Sequence, residues 1–230
     1  MLLRRITKHV TDQNWFAVFI DFLIVVVGVF VGLQVQNWNA DRLAKEDEQR
    51  VLTQLQEQFS IFIDKSEINI KKQIENNESA ANLLNIIQLG EEPADIDAFK
   101  SILGKIDAMA AAPYLPTALQ ELVSSGQLSN LSSPDLRSLL TLFYQEFGNH
   151  ESTTNLLLSL ITNPQNQFHK IILLDPFKNG KIISYDWTKI HQLQPELQNV
   201  QIGKKMITFQ MKDLLQKAKS IQTIIKEELK

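Results

Sequence analysis

Histidines and cysteines are the side chains that most often hold metals or act as nucleophiles, and this chain has few of them. No cysteine occurs among its 230 residues, which excludes a disulfide, a thiolate metal site and a cysteine nucleophile. The four histidines, His9, His150, His169 and His191, are dispersed, and none has the H-x-x-x-H or H-E-x-x-H spacing of a zinc site. We therefore expect neither a metal site nor a cofactor.

Serines and glycines are the other residues that could support catalysis or phosphate binding. Ser125 and Gly126 lack the flanking glycine and the strand-turn-helix setting of a nucleophile elbow, and they fit the end of a helix better. The chain has eight glycines, and neither a G-x-G-x-x-G pattern nor a Walker pattern is among them. The sequence therefore predicts that this protein is not an enzyme.

One carboxylate stands out because it lies inside a long apolar run. Asp21 is the only charged residue between Trp15 and Val35. An ionised acid at the centre of a bilayer costs roughly 2.5 to 3.5 kcal/mol, so such a residue normally faces other helices or water. Asp21 lies about 9 Å along a helix from Trp15, which places it nearer the interface than the midplane. Two interpretations stay open, an interhelical or interfacial polar contact and a proton or ion pathway.

Small residues accompany Asp21 on one side of this run. At about 100° per residue, Asp21, Gly28 and Gly32 fall within a narrow sector of a helix, with Ala17 beside them. Gly28 and Gly32 form a G-x-x-x-G pattern, which lets two helix backbones approach closely in lipid. The sequence predicts a packing face of Ala17, Asp21, Gly28 and Gly32 for a second copy or a partner membrane helix.

The element that positions these residues is a predicted membrane-spanning helix, residues 15–37. About 20 mostly apolar residues cross the hydrocarbon core of a bilayer, and this segment has that length. Trp15 and Trp38 bracket it, as aromatic residues do at membrane interfaces. The run is longer than a signal-peptide core and lacks an A-x-A-like cleavage site, so we expect an uncleaved anchor.

Basic residues before the span set the predicted orientation. Arg4, Arg5 and Lys8 precede it in a short tail, whereas the basic residues that follow it alternate with acids. The positive-inside bias therefore places the tail, residues 1–14, in the cytoplasm. Residues 38–230 would then form a periplasmic domain on the inner membrane of a Gram-negative bacterium.

Apolar residues after the span recur at helical spacing, which predicts an all-α fold. Steps of three and four residues from Leu52 to Ile70 predict a long amphipathic helix, continuous with the span, that ends near Leu89. We expect further helices from Asp95, Pro116, Ser133, Glu151 and Pro195, the last of them through Val200, Met206, Phe209, Leu214, Ile221 and Ile225. Ile171–Tyr185 predicts a small hairpin, so the domain is expected to be a helical bundle carrying one hairpin.

The overall charge argues against one class of partner. The formal net charge is -3 and the isoelectric point is about 5.8. Nucleic-acid binding normally requires a clustered basic surface to neutralise phosphates, so we expect no nucleic-acid partner. The lipid bilayer and another copy or membrane helix are the partners that the sequence predicts, and it identifies no small-molecule ligand.

Two resemblances bear on function. The segment Phe19–Val27, with its aspartate, resembles the single span of proton-driven stator and biopolymer-transport subunits. A broader pattern, N-W-F-A-V, D-F, V-V-V-G-V-F and Q-N-W-N between residues 14 and 39, resembles an uncharacterised bacterial family of single-pass membrane proteins. That family implies a membrane location but no activity. We expect a structural or interaction module, with a channel or stator-like subunit using Asp21 and a periplasmic sensor as alternatives.

Overall fold

The computed structural model describes residues 15–106, 108–110, 113–175 and 181–230, and gives the backbone alone at 15–18 and 21. The elements are α1 (Trp15–Leu89), α2 (Ile96–Leu103), α3 (Thr117–Ser124), α4 (Pro134–Ile161), α5 (Gln167–Ile171), β1 (Ile172–Asp175), β2 (Lys181–Tyr185) and α6 (Gln194–Glu228). Short 3₁₀ helices occupy Gln127–Asn130 and Trp187–Leu193. The predicted all-α class is confirmed.

The first helix, α1, is unbroken over its 75 residues. This confirms the prediction that the apolar run continues into the amphipathic helix. The helix continues because Asn37, Trp38 and Asn39 at the junction are not helix breakers. The chain divides into two compact units, one up to Arg50 and one formed by Val51–Lys230. The second unit contains the hydrophobic core.

The core of the second unit lies between α4, α6 and the part of α1 that follows Arg50. Its largest side chains are aromatic rings that meet edge to face: the ring centroids of Phe143 lie 5.1 Å from Phe59 and 5.2 Å from Phe62. Phe59 and Phe143 are fully buried. Such edge-to-face pairs add about 0.5 to 1.5 kcal/mol each to the burial of the rings.

Local capping signals place the helix ends where the sequence predicts them. Ser133 accepts a hydrogen bond from the Leu136 N–H at 3.4 Å, and Pro134 occupies the first turn of α4. Asp95 caps α2 by accepting from Ala98 N–H at 2.9 Å. Gly126 follows α3 with φ of 71°, a left-handed conformation that favours glycine.

The structure differs from the predicted helix that begins near Glu151. α4 is one helix of 28 residues from Pro134 to Ile161. Gly148 lies inside it, and a single glycine costs a helix only about 1 kcal/mol relative to alanine. The buried side chains of Phe147 and His150 on either side hold this turn in place.

The predicted hairpin is confirmed. β1 and β2 pair antiparallel, with Ile172 opposite Tyr185, and the turn at 176–180 lies outside the described residues. The hairpin packs on α2 through Phe99, whose ring centroid lies 5.1 Å from Tyr185 and 5.5 Å from Trp187. These residues belong to a second hydrophobic cluster, which also includes Leu83 and Leu193.

The last helix begins at Gln194, close to the predicted Pro195, but buries a partly different face. Val200, Leu214, Ile221 and Ile225 are buried as an amphipathic helix requires. Met206 and Phe209 are 52% and 73% exposed, whereas Ile207 and Met211 are buried in their place. Which apolar residues of α6 are covered is decided by where α1 and α4 lie against it.

Candidate functional site

The apolar segment of α1 has no partner within the described chain. It contains an 18-residue window with mean hydropathy of 1.5, none of it buried, so the helix is long and apolar enough to cross a membrane. Every side chain described between Phe19 and Val35 is exposed. A Cβ added at Gly28 or Gly32 would meet no atom within 4 Å. The two glycines thus leave a shallow open strip along an exposed apolar helix.

The other residues predicted for this face are described only in part. Ala17 and Asp21 lie in the α1 helix with Gly28 and Gly32, and the helical backbone puts all four positions on one side. At Trp15, Ala17 and Asp21 the structure describes the backbone and not the side chain. Trp38, the predicted anchor at the far interface, is 69% exposed. The anchors Arg4, Arg5 and Lys8 lie outside the described residues.

A polar network in the second unit joins α1 and α6 and is fully hydrogen-bonded. Asn77 Nδ2 donates to Thr208 Oγ1 at 2.9 Å, and Gln73 Nε2 donates to Asn77 Oδ1 at 3.0 Å. The Gln73 Oε1 in turn accepts from Ala110 N–H at 2.9 Å. Gln73 and Thr208 are 1% and 7% exposed. These hydrogen bonds fix how α1, α6 and the segment after α2 pair with one another.

Lys204 extends this network and is completely buried. Its ammonium donates to the carbonyl oxygen of Ile106 at 2.5 Å, just beyond the end of α2. A peptide carbonyl oxygen carries partial negative charge, and a hydrogen bond to it offsets part of the cost of burying a cation. The lysine therefore ties the segment after α2 to the surface of α6.

A second cluster of polar side chains in the core contains atoms without hydrogen-bond partners. Ser66, His150 and Gln210 come from α1, α4 and α6, and Ser66 and His150 are each 1% exposed. Within the described structure, neither His150 ring nitrogen, the Ser66 Oγ nor the Gln210 Oε1 has a partner. Burial lowers the pKa of His150 below 6.5, and the Gln210 side chain and Glu151 charge oppose this only in part.

His150 also contributes to the wall of a surface cleft. The cleft has a volume of about 630 Å³ and lies between α4 and the segment that leads into α3. Tyr114, Tyr144 and Phe147 supply aromatic surface, and Glu151 is the one acidic side chain of its lining. No carboxylate is hydrogen-bonded to His150 among the described side chains, so the charge-stabilised imidazole of a hydrolase triad is not formed there.

An ion-pair group closes the outer side of the contact between α4 and α6. Lys217 Nζ lies 2.7 Å from Glu146 Oε2 and 2.5 Å from Asp213 Oδ2. Partial burial acts to lower the pKa of Lys217, but the two carboxylates outweigh it and raise the pKa. This arrangement stabilises the ammonium and does not activate it as a base.

Sequence reasoning missed the buried polar residues. His150 follows Phe143 and Phe147 by seven and three residues and precedes Leu157 by seven, which places it on the core side of α4. That spacing could have identified it. Lys204 carries the same signal, because it follows Leu197 and Val200 by seven and four residues and precedes Ile207 and Met211 by three and seven.

The described residues offer no obvious metal centre, and similarity gives no further guide. No group of three or more histidine, aspartate or glutamate residues that could hold a metal ion occurs in the described ranges. Comparison of the chain with protein-family models, curated proteins and solved structures gives no match. The features that bear on function are the exposed apolar helix and the helical unit that follows it.

Proposed function

We propose that this chain is a single-pass protein of a bacterial inner membrane and serves as a structural or interaction module. Its span, residues 15–37, would associate with a second copy or a partner membrane helix through Ala17, Asp21, Gly28 and Gly32. The unit that follows would be periplasmic and act as a scaffold or binding module. The resemblance of the N-terminal motif to an uncharacterised single-pass family supports this assignment.

The observation that carries the proposal is the complete exposure of the apolar segment of α1. Soluble monomers rarely leave contiguous apolar patches larger than a few hundred Å² in water. A helical segment of this length exposes far more, and a bilayer covers it at no cost in unsatisfied backbone groups, because the helix satisfies them internally. The open strip at Gly28 and Gly32 supports close approach of another helix backbone.

The association is tested by filling the glycine strip. Gly28→Leu with Gly32→Leu would hold a second helix away from the backbone, and we expect association in a lipid bilayer to weaken at least tenfold. Single-molecule photobleaching of the labelled full chain in liposomes measures the fraction of dimers. Val26→Leu with Phe30→Leu is the matched control, because it has the same spacing on the side about 160° away. Equal loss in both variants would contradict a role for the glycine strip.

The orientation is tested independently of association. A reporter enzyme that is active only in the periplasm, fused after Lys230, should be active if the N-terminal tail is cytoplasmic. Replacing Arg4, Arg5 and Lys8 by glutamine should reduce that activity, because the positive-inside bias counts these charges. A C-terminal reporter that is active only in the cytoplasm would reverse the assignment.

A further inference from the structure

The cleft beside α4 combines aromatic walls with a single acidic side chain. Its volume of about 630 Å³ falls in the range of sites that hold small molecules. We define the α3–α4 cleft by six of its lining residues, Tyr114, Gln120, Tyr144, Phe147, Gly148 and Glu151. All six belong to the second unit, so the cleft does not depend on where the first unit lies.

One side of α4 forms the floor of the cleft. Gly148 and Glu151 follow Tyr144 by four and seven residues, which keeps all three on the same side of the helix. Gly148 lies between the two larger residues, and a Cβ added there would meet no atom within 4 Å. The floor therefore has a notch at its centre, where an occupant of the cleft can approach the helix backbone.

The opposite wall comes from the segment that leads into α3. Pro113 and Pro116 restrict the backbone on either side of Tyr114, whose side chain is 85% exposed. The Ala118 N–H donates to Gln58 Oε1 at 2.9 Å, which ties the start of α3 to α1. The wall is thus held in place by the chain itself, and the cleft is formed before any ligand enters, as small-molecule sites usually are.

The charges of the lining favour a cation. Glu151 is exposed, and no lysine or arginine stands beside it among the described residues that line the cleft. Lys65 belongs to a smaller neighbouring cleft that shares residues 113–117. Aromatic rings attract cations through the negative charge of their faces, and the α3–α4 cleft has three such rings. An acid and aromatic rings together are complementary to a positively charged ligand with apolar surface.

His150 contributes to the same wall a polar group that the chain leaves unpartnered. The residue is 1% exposed, and neither ring nitrogen has a hydrogen-bond partner among the described side chains. Buried polar groups normally have a partner, so water or a ligand is expected beside this ring. Because burial lowers the pKa of His150, the ring is uncharged at neutral pH and does not repel a cation.

We propose that the α3–α4 cleft binds a small organic cation, in which a positively charged nitrogen is attached to an apolar body. Glu151 pairs with the charge, the aromatic rings cover the apolar body, and Gly148 lets that body approach the helix. An anion is disfavoured, because Glu151 repels it. The site goes beyond the proposed membrane role and does not depend on it.

Calorimetric titration of the full chain in a nonionic detergent tests the site, with titration into detergent alone subtracted. The probe is 2-phenylethylammonium, and 2-phenylethanol is the matched control, because it has the same apolar body without the charge. A ligand of about nine non-hydrogen atoms and ordinary efficiency should bind with a dissociation constant of about 1 mM or lower. We expect the alcohol to bind at least about fivefold more weakly than the cation.

Substitutions locate the bound cation. Glu151→Gln should reduce the difference between the two probes to less than about twofold. Glu75→Gln removes another exposed acid, on α1 and outside the lining, and should leave the difference unchanged. Gly148→Leu fills the notch and should weaken binding of both probes at least about tenfold. Asn149→Leu is its control, because it adds leucine at the next exposed position of α4, which does not line the cleft.

Four results would overturn the inference. Equal binding of the two probes would mean that the cleft recognises only the apolar body, and tighter binding of phenylacetate would mean that it prefers an anion. Absence of binding by a chain whose circular dichroism shows it folded would remove the site. Equal losses in Glu151→Gln and Glu75→Gln would assign the preference to overall charge. None of these results bears on the proposed association of spans, which photobleaching measures separately.

Discussion

His150 places an imidazole ring in the interior of the second unit, where neither ring nitrogen has a hydrogen-bond partner among the described side chains. Burial lowers its pKa below 6.5, so an unfolded chain binds a proton at pH values where the folded ring stays neutral. The stability of the folded state is then complete above the unfolded pKa and decreases as the pH falls through 6.5 toward the lowered value.

We expect the thermal midpoint to fall by a few degrees as the pH is lowered from about 7.5 to 5.5, as measured by circular dichroism. His150→Leu should flatten this slope, because the titrating group is removed. The carboxyl groups of Asp186 and Asp213, whose pKa values are lowered, lose their stabilisation only below 3.8 and so act outside this range. If the thermal midpoint of His150→Leu changes with pH as much as that of the unsubstituted chain, the pH dependence belongs to another group. His169→Gln, a substitution at an exposed histidine, serves as the control.

Two helical glycines differ in what surrounds them, and this predicts opposite effects of alanine. Gly148 has no atom within 4 Å of an added Cβ, so Gly148→Ala should stabilise α4 by about 0.5 to 1 kcal/mol. At Gly203 the added Cβ would lie 2.8 Å from Leu157 Cδ1, and Leu157 is 3% exposed. Gly203→Ala should therefore give little or none of the stabilisation expected at Gly148, because the Leu157 side chain must move to make room for the new methyl group.

Urea unfolding of both alanine variants checks this difference. Leu157→Ala added to Gly203→Ala supplies a further control, because it removes the atom that the new methyl group would meet. The two changes should then be less destabilising together than their separate effects predict. Strict additivity would show that Gly203 does not limit the packing of α4 against α6.

At the scale of elements, the sequence predicts what is local and misses what depends on packing. Ser133 and Asp95 cap their helices as expected, because a capping side chain and its backbone partner are three residues apart. Phe209 could not be placed from sequence, since apolar spacing on α6 fits more than one face. Lys204 is buried although lysine is among the residues least often buried, and its hydrogen bond to the Ile106 carbonyl oxygen offsets part of the cost.

The same reasoning applies to the candidate face of the span. The position of Gly28 and Gly32 on one side of a helix follows from their spacing, and their openness is a property of the structure. Whether a second helix occupies that strip depends on another molecule, which neither helical periodicity nor capping can specify. The unbroken helix between Trp15 and Leu89 could be predicted because no proline or glycine cluster interrupts its amphipathic part.

The contact between α1 and α6 depends on the buried network around Asn77. Asn77→Ala would leave the Gln73 amide and the Thr208 hydroxyl without one partner each, and an unsatisfied buried polar group costs about 1 to 3 kcal/mol. We expect a loss of that size in urea unfolding. The neighbouring Asn76→Ala removes the same amide from the same helix without touching the network, and its effect should be within about 0.5 kcal/mol of zero.

At the scale of the whole molecule, the two units differ in how many of their apolar side chains they bury. The second unit, Val51–Lys230, has buried clusters of its own, with Phe59, Leu119, Leu140 and Phe143 fully buried. None of the side chains described in the apolar part of the first unit is buried within the chain. We therefore expect folding of the second unit and the proposed membrane insertion to be separable properties, carried by different residues.

This separation leads to a prediction for the fragment 51–230. It retains every residue of the three hydrophobic clusters, so it should fold cooperatively, with a helical spectrum and one thermal transition. Without the proposed span it loses the predicted association through Gly28 and Gly32, so light scattering should find monomers at micromolar concentration. A stable dimer of the fragment would mean that the second unit associates without the span. Failure to fold would mean that the helical turns before Val51 are part of the folding unit.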